Sequence, residues 1–125
     1  MDYESLFKIY LMKTKFIILF LCFSNSNFAQ TQQEMNLTAK KSYEKADKEL
    51  NEVYSKLIKS LDKTEIQKLI ATQRLWIKFR DSNCEFESSQ YEGGTILPLI
   101  YSTCLEELTK KRTVELMQSM KNRDK

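Results

Sequence analysis

Histidine is absent from this 125-residue chain. Its absence removes the commonest general base, the usual base of a catalytic triad and the commonest transition-metal ligand. There are only two Gly and one Pro. A β-sandwich or barrel needs more turns than that. With Lys, Glu and Leu plentiful, the composition favours long helices. Long apolar runs are scarce as well. The longest, Phe16-Ile17-Ile18-Leu19-Phe20-Leu21-Cys22-Phe23, is about eight residues against the roughly 20 needed to span a bilayer. What remains is 42% hydrophobic and 30% charged, the balance of a folded chain, with length for one domain.

The apolar run has a recognisable setting. Lys13 and Lys15 precede it, and polar residues ending in Asn27-Phe28-Ala29-Gln30 follow it. Positive region, short apolar region and small-residue cleavage site come in the order of a secretory signal. Residues 1–29 are therefore expected to be a signal peptide, cleaved after Ala29, with residues 30–125 as the mature helical domain. Met12 opens the pattern and is a second candidate start, which would make residues 1–11 an upstream extension. Lipidation at Cys22 is disfavoured, because Leu21 is not the small residue that chemistry needs. The expected location is periplasmic or secreted, with no membrane span after cleavage. Cleavage takes three basic and two acidic side chains, leaving 17 Lys and Arg against 15 Asp and Glu. So small an excess gives no reason to expect nucleic acid.

The mature chain reads as three helices. The first spans roughly Leu37 to Ser60, with Tyr43, Ala46, Leu50, Val53, Leu57 and Leu61 at near-heptad steps. Asp62 or Thr64 is placed to cap the second, which runs from about Glu65 to Gln90. Its expected inner stripe is Ile66, Leu69, Ile70, Trp76, Ile77 and Cys84. Gly93-Gly94 supplies a left-handed stop. The third helix starts near Thr95, holds Pro98 in its first turn, and carries Leu97, Tyr101, Cys104, Leu105, Leu108 and Leu116 inward to about Met120. The fold class is all-α, a small antiparallel bundle of three main helices with one inter-helix disulfide.

Signal removal leaves two cysteines, Cys84 and Cys104, in an oxidising compartment. They lie about equally far from the glycine pair, so an antiparallel hairpin folding there brings them level. The bond would close a loop of about 20 residues, for roughly 3 kcal/mol in the loop-entropy model. A reactive or metal-binding thiol pair is the rival. It lacks His, further Cys and a Cys-x-x-Cys spacing.

Several polar residues fall on inner faces: Asp47 and Asn51 with Tyr54 on the first helix, Gln73 and Arg80 around Trp76 on the second, and Arg112 on the third. Buried polar groups must be paired, and Asp47 with Arg80 or Arg112 is the natural ion pair. Such a layer fixes helix register. A ligand site built from the same residues is the alternative. No catalytic set, metal site or cofactor site is expected.

These residues belong to longer words: Ala46-Asp47-x-x-Leu50-Asn51-x-x-Tyr54, Gln73-Arg74-x-Trp76-x-x-Phe79-Arg80-Asp81-x-x-Cys84, Gly93-Gly94-Thr95, and Cys104-x-x-x-Leu108-Thr109-x-x-Arg112-x-x-x-Leu116. Thr31-Gln32-x-Glu34-Met35-Asn36 precedes them. In this order the sequence resembles the LprI-like lysozyme inhibitor family (N-terminal domain type), small exported bacterial proteins, over essentially the whole mature chain. Many relatives have extra cysteines near where Leu37 and Thr38 stand here, so only one bridge is carried over. The resemblance implies lysozyme inhibition or periplasmic protein binding, and no catalytic residues.

Charge is unevenly spread. From Asp81 to Thr109 there are six acids, Asp81, Glu85, Glu87, Glu92, Glu106 and Glu107, and no Lys or Arg. Six bases and two acids follow from Lys110 to Lys125. Acids at the end of the second helix oppose its dipole, so folding alone gives no reason for them. They suit a basic protein partner such as lysozyme. A solvated acidic face with helix pairs Glu106–Lys110 and Glu107–Lys111 is the plainer alternative. The expected partner-binding residues are Tyr91 as aromatic anchor, Glu87 and Glu92 as charged contacts, and Thr95. A structural or assembly module of the cell envelope, pairing with another chain through Leu50, Leu57 and Ile58, is the competing function, although a monomer is expected. A weak Ca²⁺ site at Asp81 and Glu85 lacks a loop of the right form. A carboxylate hydrolase lacks a cleft.

Overall fold

Helix follows helix along the chain: α1 (Tyr3–Lys59), α2 (Lys63–Ser88), a 3-10 turn at Ser89–Tyr91, and α3 (Leu97–Arg123). This computed structural model describes the backbone of residues 2–123 and the side chains of residues 2–12 and 31–123. No strand occurs among the described residues. Two compact units divide the chain, residues 1–34 and residues 35–125. In the first, the side chains from Tyr3 to Met12 stand exposed, Leu6, Phe7 and Tyr10 among them. The apolar run of the expected signal peptide and its cleavage point at Ala29 lie outside the described side chains. No helix among the described residues is long and apolar enough to cross a membrane.

The sequence places the start of the first helix at Leu37. The helix instead begins at Tyr3 and ends, close to expectation, at Lys59. Residues 3–37 contain neither Gly nor Pro, so no residue there interrupts the ladder. The stripe on the second unit's part of α1 is buried as its spacing implies. Leu50, Val53 and Leu57 pack with Leu116 of α3, and Tyr54, Leu61, Leu69, Trp76 and Met120 close around them. Leu50 and Leu57 are each 2% exposed. They are therefore spent in the chain's own core and cannot serve the intermolecular pairing that the near-heptad pattern allowed.

Asp62 ends the link between α1 and α2. Its Oδ1 accepts the backbone N–H of Thr64 and of Glu65, both at 2.8 Å, and Glu65 Oε2 accepts the N–H of Asp62 at 3.3 Å. This reciprocal capping box fixes α2's start at Lys63 and is worth about 1 kcal/mol. α2 stops at Ser88, two residues before the expected Gln90. α3 starts at Leu97 and continues to Arg123. Pro98 is its second residue, where the absent N–H breaks no helical bond.

The inward line of α2 is polar. Its buried residues are Gln73, Arg80, Cys84 and Ser88. Ile77, expected in the stripe, is exposed. Trp76 and Ile77 flank the line from Gln73 to Arg80, and the core lies on the Trp76 side. α3 answers with Ser102, Leu105, Thr109, Thr113 and Leu116, so small hydroxyls face the large polar groups of α2.

Candidate protein-binding site

Arg80 ties the three helices together behind the site. Its side chain is 7% exposed. Nη1 meets Asp47 Oδ1 of α1 at 3.2 Å and donates to Thr109 Oγ1 of α3 at 3.3 Å. Nε meets Asp81 Oδ1 at 2.9 Å. The guanidinium lies 5.4 Å from the Tyr43 ring centre and 5.2 Å from that of Trp76. Arg112 approaches Trp76 too, at 5.9 Å, while its Nε donates to Gln73 Oε1 at 3.0 Å and its Nη1 pairs with Glu115 at 3.0 Å. Trp76 thus presents its π-system to two cations, an arrangement that stabilises both. Of the two arginines the sequence offered, it is Arg80 that pairs with Asp47. Asn51 joins from an exposed position, donating to Asp47 Oδ2 at 3.2 Å.

Electrostatics in this layer follow from burial. Burial works against the Arg80 cation, but bonding to Asp81 and Asp47 and the nearby charges outweigh it and raise its pKa. Burial raises the Tyr43 phenol, with Arg80 opposing and Asp47 and Asp81 adding. Tyr101 is raised by burial, then by Asp81 and Glu85, again against Arg80. No buried side-chain N or O among the described residues lacks a partner.

Next to this layer, Cys84 and Cys104 form the disulfide, with Cα atoms 5.6 Å apart and the two residues 20 positions apart in sequence. It joins α2 to α3 just before the chain reverses. The reversal is locally determined. Ser88 Oγ donates to Glu85 O at 3.2 Å, Ser89 Oγ to Phe86 O at 2.7 Å and Gln90 Nε2 to Glu87 O at 3.2 Å. Three neutral donors therefore serve the last carbonyls of α2, a role that Lys or Arg often fills. No basic residue lies in that turn. Glu85, Glu87, Glu92 and Glu107 of this segment have no ion-pair partner among the described residues. Gly93 takes φ +79°, a left-handed conformation that a side chain would strain. The N–H groups of Glu92 and Gly94 donate to Ser89 O and Tyr91 O, each at 3.0 Å.

Asn36 closes the tip from α1: its Nδ2 donates to Thr95 O at 2.9 Å across 59 residues of sequence. Glu87, Glu92 and Thr95 are exposed there and Tyr91 is half-buried. A groove of about 550 Å³ runs alongside, lined by Leu99, Ile100 and Leu108 with Glu87 and Glu107 on its walls. The structure thus brings Glu87 to this groove and puts Tyr91, Glu92 and Thr95 around the turn. Glu106 is engaged by Lys110, at 2.6 Å. Asp81 is engaged by Arg80, and no group of three or more Asp, Glu or Cys poised for a metal ion occurs among the described residues.

Three contributors were missed in the sequence. Asn36 stood in a recognisable word, but nothing local ties it to Thr95. Thr109 looked like one hydroxyl among many, yet it is fully buried against Arg80. The Ser88-Ser89-Gln90 run could have been found, since short polar side chains at a helix end commonly fold back onto its carbonyls.

Comparison with known proteins adds a family and a fold. The family model for the lysozyme inhibitor LprI matches residues 22–116. An uncharacterized protein of Rhizobium meliloti (strain 1021) is 34% identical over 107 residues, covering 75% of this chain and 77% of that protein. The crystal structure of a DUF1311 family protein from Pseudomonas putida KT2440 overlays with a TM-score of 0.64 at 19% identity, over 69% of this chain and 90% of that one. At that identity the likeness is one of fold.

Proposed function

This chain belongs to the lysozyme inhibitor LprI family, and from that premise we propose that it is an exported binding protein that blocks a lysozyme or a similar cell-wall hydrolase with its tip. Residues 1–29 are its leader, and it works in the periplasm or outside the cell. It is a binder and not an enzyme.

The observation that carries this is the uncompensated acidity of a braced turn. Between Asp81 and Thr109 six acids stand without one Lys or Arg; Arg80 pairs with Asp81 and Lys110 with Glu106, and the other four have no ion-pair partner among the described residues. The end of α2 is served by Ser and Gln donors instead of cations. A disulfide, a glycine at positive φ and the Asn36 bond hold that turn in one shape. Rigid, preorganised charge steers a basic partner and loses little entropy on binding. Tyr91 supplies a ring with few rotatable bonds, and the groove beside Glu87 supplies apolar area. Polar-layer residues Asp47, Asn51, Gln73, Arg80 and Arg112 are the framework behind it.

The test is lysis of cell-wall substrate by several lysozymes with and without the protein. Slowed lysis at micromolar excess supports the proposal. Unchanged lysis across every lysozyme class removes it.

A further inference from the structure

One feature of α2 serves neither the core nor the tip. Leu75, Phe79 and Phe86 are 68%, 58% and 74% exposed. With Ser82 they step by 4, 3 and 4 residues, so they line one helical face. That face points away from Gln73, Arg80, Cys84 and Ser88, the residues α2 buries. Isolated surface apolar residues need no explanation, but an aligned row of this size marks an interaction surface.

We propose that this face is where a second copy of the chain docks, with the two α2 helices antiparallel. The charges beside the row select that occupant. Lys78 follows the line of Leu75 and Phe79 on one flank, and Glu85 lies two turns further along the same flank. Both are exposed. Neither has an ion-pair partner among the described residues. With the two-fold axis midway between Phe79 and Ser82, Leu75 of one copy meets Phe86 of the other, and Phe79 meets Ser82. Lys78 then comes close to the second copy's Glu85, and symmetry repeats the pair. Parallel docking would carry the charged flanks of the two copies to opposite sides of the seam, so that no Lys78–Glu85 pair could form across it. A uniformly basic partner would gain from Glu85 but meet repulsion at Arg74 and Lys78. The row fits its own reverse better than either.

This departs from the monomer expected from the sequence. Four layers of side chains make a small interface, near the weak end of specific association. The dimer is therefore concentration-dependent. Its two acidic tips point in opposite directions, since each lies at the C-terminal end of its own α2. Glu85 is taken into the seam, but Glu87, Tyr91, Glu92 and Thr95 stay outside it, so dimerisation is separable from inhibition.

Sedimentation velocity on protein expressed from the full sequence, from low to high micromolar concentration, tests the proposal. Mass moving from one chain toward two is the expected result. Phe79→Glu should weaken association by about tenfold or more, as loss of a central aromatic contact does. Lys78→Glu or Glu85→Lys alone should weaken it too, and the double exchange should restore it, with far-UV circular dichroism unchanged throughout. Mass of a single chain at every concentration overturns the proposal. So does a double exchange that fails to restore association in a folded protein. A monomeric wild type whose lysozyme inhibition is lost in Phe79→Glu would give the face to the target protein instead.

Discussion

Arg80 is the residue on which the framework turns. Charges this deeply buried are tolerated only when paired and bonded, and Arg80 has Asp47, Asp81, Thr109 and two rings to satisfy it. Arg80→Ala removes all of these at once and leaves Thr109 facing a void, so a loss of about 3 kcal/mol is expected in urea unfolding. Asp47 has a side chain 39% exposed, and its loss leaves Arg80 still held by Asp81 and Thr109. Asp47→Ala should therefore cost only about 1 kcal/mol. Equal costs for the two would show that the ion pair, and not the wider set of contacts, dominates. The sequence identified Asp47 and Arg80 because long charged side chains on a helix's inner face stand out. It did not identify Thr109, since a threonine is equally at home inside or outside. The tyrosines give a second test at this scale. Burial raises Tyr43 and Tyr101 above the ordinary phenol value of about 10. A raised folded pKa contributes stability that is intact below the unfolded value and lost as pH rises through the folded one. Spectrophotometric titration should show two late-ionising phenols, and the urea midpoint should fall above about pH 10. Tyr43 and Tyr101 ionising at the ordinary phenol value, with no change in midpoint, would contradict this.

Among the elements, the α2–α3 hairpin holds the proposed binding tip, and α1 supplies most of the core. Near-heptad spacing made the buried stripe of α1 legible, and Asp62 with Glu65 made the start of α2 legible. The glycine pair and the two cysteines made the hairpin legible as well, because a turn of known position puts residues at equal distances level. The start of α1 was not legible, since a continuous ladder needs no local signal to persist. Nor was α2's double character. Its polar inner line and apolar outer row lie on opposite faces, the reverse of an amphipathic helix, and periodicity counting assigns the apolar set to the core. The disulfide acts at this scale. Reduction should cost about 3 kcal/mol, with the loss confined at first to the hairpin. Binding by the tip should therefore weaken before the helical signal of α1 melts. Reduced protein that inhibits as well as oxidised protein would reduce the bond to general reinforcement.

At the scale of the molecule, acid gathers at the hairpin's turn and base near the C-terminus, where Lys110, Lys111, Arg112, Lys121 and Arg123 stand. Folding does not require that separation: the end of α2 opposes its own dipole, while the end of α3 carries favourable cations. In the proposed function, the class of partner follows from family membership and the end that meets it from the charge distribution. The direct measurement is the affinity for a lysozyme, compared between charge reversals at the two ends. Glu87→Lys with Glu92→Lys should weaken binding by about tenfold or more, through faster dissociation and slower association. Lys121→Glu with Arg123→Glu should leave it unchanged. Equal effects at both ends, or a loss confined to the basic end, would contradict the assignment of the tip as the surface that engages the hydrolase.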